Sequence, residues 1–140
     1  MTAMEKQFST PNLLVVFYPE NSVLAVWFSE SCGNLMEVDL KEERKQIERA
    51  VAEHKPSYLL ADLSACTYYT SGDHIRWYEN TLFQRFKNLP VKKIGLVVPH
   101  NLFVHATIEA ARMSMENPHS VVQYFMSREK AFSWLDSQPS

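Results

Sequence analysis

Hydrophobic residues along this chain fall into two patterns: short dense runs, and longer stripes spaced three to four residues apart. "LLVVFYP" (13–19) and "VLAVWFS" (23–29) are strand-length and rich in β-branched and aromatic residues. The "PENS" between them supplies turn chemistry, so these two strands should pair antiparallel. "SYLLADLS" (57–64), "KKIGLVVP" (92–99) and "VVQYFM" (121–126) are three further strand-length runs. The first two are almost continuously apolar, as expected of central parallel strands covered on both faces.

The stripes fill the gaps between these runs. Leu40, Ile47, Ala50 and Val51 predict a helix whose Lys41, Glu42, Glu43, Lys45 and Glu48 mostly face water. Asp39 and Glu42 have capping-box spacing, and Pro56 ends the helix because the residue before proline disfavours it. Ile75, Tyr78, Leu82, Phe86 and Leu89 mark a second helix after Ser71. A third carries Val104, Ile108, Ala111 and Met115 at i, i+4, i+7 and i+11, stopped by "NP" at 117–118. Ser127 can cap a short fourth helix with Ala131, Phe132 and Leu135 facing inward. The predicted fold is α/β: a five-stranded mixed, largely parallel sheet with four helices, in the order β-β-α-β-α-β-α-β-α. No repeat or linker divides it. Residues 1–140 read as one domain, with an ordered core over about 13–136 and short flexible tails.

Composition narrows the function classes. The chain has 140 residues, 46% apolar and 21% charged, with a net charge of −2. That is an ordinary globular balance, and it lacks the basic stripe a nucleic-acid binder needs to displace counterions. The N-terminal "MTAMEKQFSTPN" has no apolar segment of the signal-peptide kind, and no run approaches the ~20 apolar residues of a membrane span. A cytoplasmic location without membrane insertion is expected, with Cys32 and Cys66 as reduced thiols.

Ligands of open α/β sheets bind beyond the carboxyl ends of the strands. Here that edge carries Asp62, Ser64 and Ser71, then His100 and Asn101, then Ser127. With only Gly33, Gly72 and Gly95, neither a GxGxxG loop nor a phosphate-cradling loop can be built. HExxH and GxSxG motifs are absent, and only His100 and His105 approach metal-ligand spacing, so neither a metal nor a cofactor is expected. A Ser–His–Asp hydrolase could be assembled from Ser64 or Ser71, His100 and Asp62, but no spacing requires it, and a non-enzymatic role is expected. "TSGD" (70–73) has an N-cap reading of its own: the Thr70 or Ser71 hydroxyl accepts from free helix N–H groups, and Asp73 complements the dipole.

The element order together with this corner resembles the STAS domain, the fold of anti-sigma-factor antagonists and of sulfate-transporter tails. It also resembles the stand-alone bacterial STAS-like proteins. The resemblance spans about residues 13–136. In the antagonists a strand ending Asp-Leu-Ser leads to Asp-Ser-Ser-Gly, whose serine is phosphorylated by a partner kinase. Asp62-Leu63-Ser64 and Ser71-Gly72 match the two ends of that motif. Thr70 replaces a serine, Tyr69 stands in place of the family's Asp, and Asp73 follows where an apolar residue is usual. The resemblance implies a regulatory module switched at Ser71 or Thr70, with a kinase or regulatory protein as partner. A phosphate on Ser71 would sit two residues from the like charge of Asp73, which opposes it. "SREKAFSWL" (127–135) resembles the closing helix of the stand-alone group, which often lacks the phosphoserine motif.

The same corner is aromatic, with Tyr68 and Tyr69 in the loop and Trp77 about 100° off the inward stripe of its helix. Exposed Tyr and Trp favour interfaces, although Trp77 could equally pack on a neighbouring element. A partner surface would comprise Asp62, Ser64, Tyr68, Tyr69, Asp73, Trp77, His100 and Asn101. The rival is a small apolar or anionic ligand held near Ser64, Ser71 and His100. If the helices gather on one side of the sheet, its bare face would call for a homodimer partner or an apolar ligand.

Overall fold

A computed structural model describes residues 5–10, 13–29, 37–65, 86, 89–98, 115 and 121–136. Six strands form one mixed sheet whose spatial order is the chain order: β1 (Glu5–Ser9), β2 (Leu13–Tyr18), β3 (Val23–Phe28), β4 (Tyr58–Asp62), β5 (Lys93–Val97) and β6 (Val121–Phe125). β1, β2 and β3 pair antiparallel, and β3 through β6 run parallel. Two helices are described, α1 (Glu37–His54) and α2 (Arg128–Asp136).

Strand alternation divides the core in two. On one face Val15, Phe17, Leu24, Val26, Leu59, Ala61, Ile94, Leu96, Val122 and Tyr124 pack with Ile47, Ala50 and Val51 of α1 and with Phe86 and Leu89. On the other, Val23, Leu60, Val97 and Phe125 pack with Ala131 and Leu135 of α2, flanked by Trp27, Tyr58, Phe132 and Trp134. The β3-α1-β4 connection and the segment leading to β5 therefore meet the same face, as same-handed crossovers between successive parallel strands require. The closing helix crosses to the opposite face. There it packs over Gly95, where an added Cβ would make ordinary van der Waals contact, 3.8 Å from the Ala131 Cβ.

Several expectations are corrected. The sheet has six strands rather than five, because residues 5–9 form an edge strand instead of a flexible tail. Phe8 of that strand packs against the core, and a register shift between Lys6 and Phe8 breaks its alternation, so the period-2 signal is erased. Thr10 and Leu13 close the turn into β2: the Thr10 N–H donates to the Leu13 carbonyl at 2.8 Å and the Leu13 N–H to Thr10 Oγ1 at 3.2 Å.

α1 starts at Glu37, which places Asp39 inside the first turn rather than at the cap. Glu43 does not face water. It is 2% exposed and accepts from Thr10 Oγ1 at 3.4 Å. Helical geometry explains this, since Glu43 precedes Ile47 by four residues and Ala50 by seven and so shares their stripe. Met115, expected to face inward, is 83% exposed. It stands three residues before Pro118, at the end of the expected stripe. The face opposite α1 is not bare either, because α2 covers it over β4, β5 and β6. The remainder of the helices predicted after Ser71 and after His100 lies outside the described residues, apart from Phe86, helical and fully buried.

Candidate functional site

The parallel arrangement carries the ends of β3 to β6 to a single edge. Backbone bonds hold that edge together past the last ladder pairs: the Leu63 N–H donates to the Val97 carbonyl at 2.7 Å, and the Val98 N–H to Phe125 at 3.0 Å. Asp62 ends β4 there, and its register partner on β3 is Trp27. Both lie on the α2 face, one strand-period from the buried Leu60 and Ala25 respectively.

Asp62 is 2% exposed, so its carboxylate must be matched by donors. One oxygen, Oδ1, accepts the Ser64 N–H at 2.8 Å and the Ser64 hydroxyl at 2.6 Å, the local turn that Asp favours. The other, Oδ2, accepts Nε of Arg128 in an ion pair. Arg128 is the first residue of α2, and Ser127 sets its position: Ser127 Oγ accepts the Lys130 N–H at 3.2 Å, an N-cap, as expected. The Arg128 Cζ lies 4.2 Å from the centroid of the Trp27 ring, so the guanidinium is stacked on an aromatic face while bound at one edge to Asp62. Its side chain remains 57% exposed, and among the described residues its Nη nitrogens make no hydrogen bond.

Of the residues singled out in the sequence, the structure brings together Asp62 and Ser64. Tyr68, Tyr69, Thr70, Ser71, Asp73, Trp77, His100 and Asn101 lie outside the described residues, as do Cys32 and Cys66. Sequence reasoning missed Trp27 and Arg128. Trp27 looks like any strand aromatic and Arg128 like a solvated helix charge. Only the register of β3 against β4 and the docking of α2 make them neighbours.

The Ser64 hydroxyl proton is given to a carboxylate, and among the described residues no imidazole contacts that hydroxyl. His54 sits at the C-terminus of α1, at the opposite edge, with its ring stacked on Phe17 at 4.4 Å. Among the described residues no three His, Cys, Asp or Glu side chains cluster as a metal would need, and no helix is long and apolar enough to cross a membrane. What the edge offers is a fixed cation with unused donors beside an indole. In comparison with known proteins, the chain matches no protein-family model, no curated protein and no solved structure, so its site is defined by its own residues alone.

Proposed function

We propose that this chain is a non-enzymatic, STAS-like regulatory module that works in the cytoplasm and binds a partner protein through the carboxyl edge of its parallel strands. One observation carries the reading: the exposed guanidinium of Arg128, stacked on Trp27 and tied to Asp62 on that edge. Arg and Trp are the residue types that dominate interface energetics, because they bury large area while offering directed polar contacts. Phosphorylation at Thr70 or Ser71, eight and nine residues beyond Asp62 in the chain, would add negative charge and serve as the switch. A second reading, a small anionic ligand held near Ser64, Ser71 and His100, is favoured by the polar character of Ser64, Asp62 and Arg128.

The test is affinity capture from a lysate of the source cells, comparing wild type with an Arg128→Glu variant of equal folded fraction, with intact-mass analysis of wild type and Ser71→Ala. A regulatory protein or kinase retained by wild type and lost by Arg128→Glu is the expected outcome. A phosphate that disappears in Ser71→Ala would place the switch. Equal recovery by both proteins, or none by either, overturns the partner reading.

A further inference from the structure

We infer that Arg128 is the oxyanion-reading point of this edge: its Nη pair takes two oxygens of a carboxylate or phosphate group, with Asp62 and Trp27 as positioning residues. The inference rests on the reading of the strand edge as the binding edge and names the chemistry of what binds there.

Arg–carboxylate pairs frequently use the bidentate fork, with two parallel N–H···O bonds. Here Asp62 receives Nε alone, because its other oxygen is fully engaged by Ser64. Trp27 covers one face of the guanidinium and so restricts its rotation. The planar group is thereby held at one edge and over one face, while the Nη edge keeps its donors. Such a group gives up little side-chain entropy on binding, which is how a preorganised fork gains affinity. The N-terminus of α2 adds a positive dipole end, opposed by the exposed Glu129 of its first turn. Asp62 offsets much of the charge of Arg128, so selectivity comes from the matched fork rather than from net charge.

A free small anion and an acidic group carried by a partner share this chemistry, and the experiment separates them. Orthophosphate and acetate are titrated at constant ionic strength into 15N-labelled protein, following the Arg128 Nε–H and Trp27 indole N–H signals. Wild type should give saturable shifts with at least one anion. Arg128→Lys, which keeps the charge and loses the fork, should weaken binding about tenfold or more. Trp27→Leu should weaken it less. Saturation at millimolar anion assigns a free ligand. Saturation only far above that range, with partner capture lost in Arg128→Lys, assigns a partner-borne acid. Shifts that never saturate in wild type, or that are equally strong in Arg128→Lys, overturn the inference. Partner capture that survives Arg128→Lys but not Arg128→Glu would also overturn it, while leaving the partner reading standing.

Discussion

Single residues set where the chain turns. Lys55 has φ 48° and Ser22 φ 55°, left-handed values that crowd a Cβ against the backbone. Lys55 follows the last residue of α1, and its N–H donates to the Val51 carbonyl at 2.8 Å, the cap that glycine usually supplies. Lys55→Gly should therefore stabilise the fold by about 0.5–1 kcal/mol, because relief of strain exceeds the added freedom of the unfolded chain. Urea denaturation measures it, and a loss of stability would mean the lysine side chain contributes a contact of its own. Ser22 differs. Its Oγ accepts the Ser57 N–H at 2.9 Å, and its carbonyl accepts the N–H groups of Ser57 and Tyr58, so a glycine there would remove a bond while relieving strain. "PENS" and the Lys55-Pro56 pair are legible as turn signals, yet nothing in them announces which residue takes the left-handed position. The candidate site is opaque for a related reason. Asp62 and Ser64 can be found from the strand pattern, but Arg128 reaches Asp62 across 66 residues of sequence.

Among the elements, the central strands were the most legible, since runs apolar on both faces leave little other choice of structure. Leu59, Leu60 and Ala61, and likewise Ile94, Leu96 and Val97, are buried on both sides of the sheet. β6 alternates instead, with Val121 and Gln123 exposed while Val122 and Tyr124 are buried. β1 was hidden by its bulge and its single core-packing aromatic. α2 shows how a short helix is fastened. Its last turn has no basic residue, and Lys93 of β5 provides the missing cation: Nζ donates to the Trp134 carbonyl at 2.8 Å and lies 4.9 Å from the Trp134 ring centroid. A cation at a helix C-terminus and over an indole is favoured by both the dipole and the ring quadrupole. Lys93→Met keeps most of the apolar stem and should cost about 1–2 kcal/mol in chemical denaturation. A change near zero would show that packing of Ala131 and Leu135 alone holds the helix.

For the molecule as a whole, the α/β class and the antiparallel opening followed by parallel strands could be read from the residue pattern. The placement of α1 and α2 on opposite faces could not, because both stripes are apolar and neither records which side of the sheet it meets. Deleting residues 1–9 is the sharpest check on the corrected boundary. A tail would be dispensable, whereas removal of β1 strips the backbone bonds along β2 and the packing of Phe8. The truncated protein should lose more than about 2 kcal/mol of stability and self-associate through the opened edge, as read by denaturation and sedimentation. Unchanged stability would return that segment to the role of a tail. The sequential strand order has a consequence for how the protein comes into being. Each strand finds its neighbour already synthesised, so the sheet can grow in the order in which it leaves the ribosome. The Asp62–Arg128 link cannot form until α2, the last described element, has emerged. A chain ending just before residue 128 would carry all six described strands and lack the Asp62–Arg128 link on which the proposed recognition rests.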